Sequence, residues 1–460
     1  MFSLFLLFSL GSECLGQSVP VTEAPTSLRT RLAPKGASDW EGFLGPLGTG
    51  VSPEKGLPDF KGEVRLPLLW TKTLGEGYAP PVISRGRLFL SERLANTMRI
   101  FALHAETGKE SWSHEYKSDY QDKYGYDGGA RACPIIRGNR LFHLGPEGML
   151  IALDATTGKQ LWAVDTRRTF GVVQNFFGAG SAPLVVADAH GERVIVQVGG
   201  SPSGSTDDDV VNLKGNGSGA VAFDTATGKV LWQSTNALAS YASPVLATLP
   251  GLSGSQILLF ARQGLYGLDS ATGKEQFHFP LRADNLESVN AVNPLVSGNR
   301  IFLSECYGPG SVLLKIEDGK PKMVWSDEER GRNKALQAHW STPILREGVL
   351  FGCSGRHEGN AELRALDFET GKVRWREPGL GRTSLLSVED KLLVLGERGN
   401  LHLLRADKDR FTELARLDPM DGTGRLLLKY PAWAAPVLSH GLLYVRGRDR
   451  LVCLELIPGK

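Results

Sequence analysis

Apolar and polar positions alternate in short runs along most of the chain. The run IALD (151–154) sets Ile151 and Leu153 against Ala152 and Asp154, the period of a half-buried strand. Thr-Gly-Lys follows at 157–159, and Gly158 suits a tight turn that needs positive φ. Leu161 and Trp162 then begin a second apolar run. The stretch ALDATTGKQLW (152–162) therefore predicts a hairpin whose second strand carries a Trp. The same pattern returns as AFDTATGKVLW (222–232) and ALDFETGKVRW (365–375), and more loosely as ALHAETGKESW (102–112) and GLDSATGKEQF (267–277).

A second hairpin precedes each copy: a small residue and Pro, then a turn such as Arg-Gly-Asn (137–139), then an apolar strand. Four short strands repeating at this spacing describe a blade of a β-propeller. The opening prolines stand at 81, 134, 183, 244, 294, 343 and 436, with steps of 53, 49, 61, 50, 49 and 93. The last step is nearly double. It predicts a degenerate blade within 383–406 that lacks both Pro and TGK, beside a worn copy at 313–325. The expected fold is all-β: an eight-bladed propeller with four-stranded antiparallel blades, spanning 66–457. Segment 66–74, with its unpaired Trp70, is expected to supply the outer strand of the last blade and close the ring. Trp70, Trp112, Trp162, Trp232, Phe277, Trp325 and Trp375 are expected to dock between neighbouring blades, a packing role.

Composition adds little that competes with this picture. Gly supplies 55 of 460 residues, which suits many turns, and 52 basic against 50 acidic residues exclude a strong field for nucleic acid. Residues 1–16 read as a secretory signal peptide, with Glu13 before Cys14 arguing against a lipoprotein. Residues 17–65 read as a linker and N-terminal extension, flexible over 17–39. No stretch of eighteen apolar residues predicts a membrane span. Cys133, Cys306, Cys353 and Cys453 show no CxxC spacing and are expected to be buried thiols.

The ALDxxTGKxxW pattern resembles the docking motif of the pyrroloquinoline quinone (PQQ) repeat family. That family includes eight-bladed quinoprotein alcohol dehydrogenases and the propeller lipoprotein of outer-membrane protein assembly. The segment WEGFLGPLGTGVSPEKGLPDF (40–60) is similar to one that precedes the propeller in secreted bacterial members. The resemblance implies a fold; it does not fix a function.

With the repeats assigned to scaffold, functional residues are expected where the repeats break. The segments leading into the inner strands place Tyr78, Tyr126, Arg131, Tyr241, Asn290, His339, Trp340 and Trp433 near the mouth of the central channel. Loops between second and third strands add Tyr307, Arg356, His357, Glu358 and Asn360. Aromatic faces with fixed polar donors suit a small polar ligand, and Arg131 is the leading candidate for a carboxylate or phosphate contact. Plain packing, or an ion pair between Arg356 and Glu358, is the alternative for these positions. Asp207, Asp208 and Asp209 in the insertion 199–219 are Ca²⁺ candidates, weighed against a solvated loop.

Two readings of function follow, with a third behind them. The preferred one is a periplasmic or secreted binding scaffold that holds a protein, peptide, glycan or small polar ligand in the cell envelope. It needs no cofactor or metal and assigns no catalytic residue. The alternative implied by the resemblance is a PQQ- and Ca²⁺-dependent dehydrogenase, with Asn290 or Glu305 matched to calcium ligands. The vicinal Cys pair of those enzymes and a haem motif are absent from the sequence. The third is a hydrolase or lyase acting on a sugar through His357 and Glu358.

Overall fold

The computed structural model describes residues 27–173, 176–207, 212–285 and 288–459. The proposed signal peptide, and Asp208 and Asp209, lie outside them. Seven four-stranded antiparallel blades and one six-stranded sheet are arranged in a ring. The first six blades follow one another in the chain. Blade 1 comprises Val82–Ser84, Arg87–Leu94, Thr97–His104 and Glu110–Lys117. Blades 2 to 6 begin with Ile135–Arg137, Leu184–Asp188, Val245–Ala247, Leu295–Ser297 and Ile344–Arg346. Each of these first strands starts one residue after an opening proline, and the first strands of blades 1 to 4 touch in succession, as does that of blade 6 with Thr383–Val388.

The expectation of eight four-stranded blades is corrected within 383–416. There Thr383–Val388, Lys391–Gly396, Leu401–Arg405 and Glu413–Arg416 form an antiparallel core. Val51–Ser52 and Gly62–Glu63 add parallel strands to its two edges, giving six strands. This unit lacks the TGK turn, and the N-terminal extension supplies backbone pairing on both of its edges instead. The last blade follows with Val437–Ser439, Leu442–Arg446 and Arg450–Glu455, and Leu68–Thr73 pairs antiparallel with its third strand. The two ends of the propeller are thereby locked in one sheet, as the unpaired Trp70 suggested.

The repeat motif has a local physical reason. Asp154 Oδ1 accepts from Thr157 N at 2.8 Å and Thr157 Oγ1 at 2.9 Å, holding the turn. Asp224, Asp269 and Asp367 do the same for Thr227, Thr272 and Thr370. The turn glycine lies at positive φ, +74° for Gly158. Its bare Cα also leaves room for the indole of the preceding blade: a Cβ on Gly158 would stand 2.5 Å from Trp112 Cε3. Gly108, Gly228, Gly273 and Gly371 meet Trp70, Trp162, Trp232 and Trp325 in the same way. The indole N–H of Trp112 donates to Ala155 O at 3.1 Å, and those of Trp70, Trp162, Trp325 and Trp375 reach carbonyls of the following sheet. Phe277 differs, packing over Gly267 of its own blade while joining the apolar cluster shared with blade 5. The core is thus a set of clusters between successive sheets, not one central nucleus. Cys133, Cys306, Cys353 and Cys453 are buried free thiols.

The N-terminal extension is not a free linker over its described part. Leu28 N donates to Arg85 O, Arg29 pairs with Asp39, and Arg31 pairs with Glu455. Trp40 and Ile83 exchange backbone hydrogen bonds of 2.8 Å, and Ile136 N donates to Glu41 O. Ser387 N donates to Gly50 O at 2.8 Å, and Gly50 lies against Ile344. Residues 40–52 therefore cross between the first strands of blades 1, 2 and 6 and the six-stranded sheet, plugging the channel. Buried Glu54 fastens the strap by accepting from the backbone N–H groups of His440 and Gly441 at 2.5 and 2.7 Å.

The turn glycines give a direct test. Gly158→Ala meets both a left-handed backbone and the Trp112 ring, and is expected to cost about 2–4 kcal/mol. Gly138→Ala, also at positive φ but with no atom within 4 Å of the new methyl, is expected to cost only about 1–2 kcal/mol. Urea denaturation of both variants measures the difference; equal costs would remove the indole contact from the explanation.

Candidate functional site

Above the plug, the lead-in segments converge on a cavity of about 210 Å³. Phe43 and Leu44 of the plug form part of its wall. Of the sequence candidates, Tyr78, Arg131, Tyr241, His339, Trp340 and Trp433 line it. So does Tyr126, 46% exposed at the rim.

The aromatic rings form a continuous arc. Tyr241 meets Phe177 at 5.6 Å between centroids, Phe177 meets Tyr126 at 5.7 Å, and Tyr126 meets Trp433 at 5.9 Å. Trp433 then meets Trp340 at 5.2 Å, and Trp340 meets His339 at 4.9 Å. Tilted contacts at these distances suit ring quadrupoles and hold the rings at fixed angles.

Two arginines stand on this arc. Arg131 lies 5.5 Å from the Tyr78 centroid and 5.9 Å from Phe177, and its Nη2 donates to Asp122 Oδ2 at 2.7 Å. Arg382 lies 4.7 Å from Trp340 and 5.2 Å from Trp433. Its Nε and Nη2 grip Glu397 Oε2 at 2.9 and 2.5 Å, and Trp433 Nε1 donates to the same oxygen at 3.2 Å. Asp122 and Glu397 have fully buried side chains. Each guanidinium is therefore pinned from behind by a carboxylate that does not reach the cavity, which fixes its plane against the aromatic faces.

His339 Nε2 lies 3.3 Å from Tyr307 Oη, while its Nδ1 and Trp340 Nε1 are buried without a hydrogen-bond partner. Burial, reinforced by Arg382 and Arg356, lowers the His339 pKa to about 3. The ring is neutral at physiological pH, and it offers hydrogen bonds without charge.

The remaining candidates fall elsewhere. Tyr307 sits behind His339 and carries Arg356 at 4.3 Å from its centroid. Glu358 pairs with Arg398, so the ion pair weighed between Arg356 and Glu358 is replaced by another. His357 caps the short turn Glu358–Asn360, with its N–H donating to Asn360 Oδ1 at 3.0 Å. Glu358 is thus held by Arg398, and the cap engages His357 through its backbone. Asp207 pairs with Lys123. Asn290 is 1% exposed, and its amide N–H groups donate to Ala261 O and Leu281 O at 2.8 and 3.0 Å.

Sequence reasoning missed Phe177, Arg382, Phe43 and Leu44. The first two obey the rule that found the others. FFGAGSAP (176–183) leads into blade 3, and GLGRTS (379–384) leads into the first strand of the proline-less sheet. Phe43 and Leu44 carried no such signal, because nothing in the repeat says that the extension enters the channel.

The fit to a quinone held with Ca²⁺ is poor. Among the described residues no Asp, Glu, Asn or Gln lines the cavity, and two arginines do. Glu305 instead accepts from Ser288 Oγ at 3.1 Å and Tyr307 N at 2.8 Å. Asn290 Oδ1 is buried without a partner, but no group of three or more metal-ligating side chains occurs among the described residues.

This is the fold of a repeat propeller with one closed and one open channel end, and the chain belongs to the PQQ-repeat family. The pattern of the PQQ_2 family, described as outer membrane protein assembly factor BamB, matches residues 67–235 and 216–390. The chain is 21% identical over 409 residues to outer membrane protein assembly factor BamB of Shewanella oneidensis, covering 85% of this chain and 88% of that protein. The crystal structure of BamB from Moraxella catarrhalis superimposes with a TM-score of 0.56 at 15% identity, over 85% of this chain and 98% of that one. A quinohemoprotein alcohol dehydrogenase from Pseudomonas putida HK5 gives 0.61 at 14% identity, over 92% and 80%. The structural likenesses concern the fold alone.

Glu305 yields a pH prediction. Burial raises its pKa from 4.5 to about 7. The folded state then binds a proton more tightly than the unfolded chain, so this group's contribution to stability falls as pH rises between about 4.5 and 7. Glu305→Gln should flatten that part of the profile, leaving stability at pH 4 nearly unchanged and raising it at pH 8 by up to about 3 kcal/mol. Urea melts of both proteins across that range check it; parallel profiles would refute it.

Proposed function

We propose that this chain is a binding propeller of the cell envelope, periplasmic or secreted, whose channel mouth holds a partner segment by recognition alone. The observation that carries this reading is the composition of the mouth. A ring of aromatic faces surrounds two arginines pinned by buried carboxylates, and among the described residues no carboxylate lines the cavity. The plug at 40–52 favours a bowl over a conduit. Stacked rings and fixed cations suit an extended peptide or small polar ligand that presents carboxylates between apolar or aromatic groups. The family match and the assembly-factor relatives support a protein partner over a small-molecule substrate. Among the described residues no helix is long and apolar enough to cross a membrane.

Two measurements on the purified chain test this. A peptide array should select acidic segments with aromatic or aliphatic neighbours, and Arg131→Gln and Trp340→Ala should each weaken the selected contacts by about tenfold or more. A titration with PQQ and Ca²⁺, followed by tryptophan fluorescence and dye-coupled alcohol oxidation, should give no turnover. Calcium-dependent quinone binding with turnover would replace this reading by a dehydrogenase.

A further inference from the structure

A second cavity lies beside that of the mouth, between blades 2, 3 and 4, and has a volume of about 60 Å³. Gly180 is a wall of both cavities. The outstanding side chain in the second is Arg262, directly after the second strand of blade 4, Gln256–Ala261. Arg262 is only 5% exposed and makes no ion pair among the described residues. Its backbone N–H is satisfied by Leu238 O at 3.0 Å, and its guanidinium stands 5.8 Å from the Phe176 centroid. Nε and Nη2, however, are both buried without a hydrogen-bond partner. Burial lowers its pKa to about 10, so it remains a cation at neutral pH.

An unpaired buried cation is costly, and buried arginines are ordinarily matched by an anion. The two orphaned donors are adjacent. Nε and Nη2 form the side-on edge of the guanidinium, which meets both oxygens of a carboxylate in parallel. Two further donors line the same cavity: Ser181 Oγ and Ser201 Oγ, each in a residue 2% exposed and each without a partner. Leu144, Val198 and Leu238 supply apolar wall. The carboxylate in the walls, Glu147, is engaged by Tyr116 Oη at 2.8 Å and Ser118 Oγ at 2.9 Å, and burial raises its pKa. Lys123 and Arg167 complete the charged lining. Formate and acetate are the smallest ligands that present such a pair of oxygens.

We infer that this cavity is a binding site for a small carboxylate, gripped by the Nε–Nη2 edge of Arg262 with Ser181 and Ser201 as additional donors. The site does not rest on the function proposed for the mouth.

Isothermal titration and thermal melts of the full chain with sodium formate and sodium acetate test the inference, against sodium chloride at equal ionic strength. A saturable rise in Tm with the carboxylates, absent with chloride, is expected. Arg262→Leu should abolish that rise while leaving the ligand-free melting temperature unchanged or higher, since it removes an unmatched buried charge. Arg262→Lys keeps the charge but loses the fork, and should weaken binding about tenfold or more. Ser201→Ala should weaken it by a smaller factor. An equal response to chloride, or an undiminished carboxylate response in Arg262→Leu and Arg262→Lys, would overturn the assignment.

Discussion

The contact between an outer-strand indole and the next blade's turn glycine is the interaction on which the ring depends. It demands three things at once: a flat aromatic on the outer strand, a residue without a side chain in the facing turn, and a free carbonyl one step before that turn. Trp112, Gly158 and Ala155 supply them for the first pair of blades. Aspartate then fixes the turn through its hydrogen bonds to the TGK threonine. Because the lock spans two blades, no blade buries its own faces alone. That is why the apolar clusters lie between sheets and why the sequence must repeat.

The constraint relaxes where another element does the same work. The six-stranded sheet lacks the TGK turn, and Trp375 has no turn glycine to rest on. Its indole still finds Asp407 O at 2.9 Å, and its ring lies edge-on to Phe411 at 5.9 Å. The backbone of the N-terminal extension adds a short parallel strand on either side. The extension thus has two roles that one segment can meet only by threading the channel: it reinforces the weakest sheet and supplies Phe43 and Leu44 as a wall of the mouth cavity.

What was legible in the sequence follows from this division. The blades, the opening prolines, the closing strand at Trp70 and the docking aromatics each obey a local period, so alternation and turn chemistry sufficed. The mouth was partly legible because its residues sit at a fixed place, just before each inner strand. That rule found Tyr78, Arg131, Tyr241, His339, Trp340 and Trp433 together. It went wrong at Asn290, whose side chain turns away to backbone carbonyls. Arg356, His357 and Glu358 came from a different loop and answer to local partners there. The six-stranded sheet and the plug were illegible for a physical reason. Both depend on pairing between positions more than three hundred residues apart, such as Val51 with Ser387, which no local pattern encodes.

The same contrast separates the two cavities. At the mouth each arginine has a buried carboxylate behind it, so its charge is already balanced before any ligand arrives. Such a guanidinium is held in a fixed plane, ready for a ligand carboxylate or a stacked ring, which suits selective and reversible holding of a partner. Among the described residues Arg262 has no carboxylate behind it, and its positive charge shares the cavity with two idle hydroxyls. Arg131 and Arg382 take their counter-charge from the chain, whereas the counter-charge inferred for Arg262 comes from a ligand.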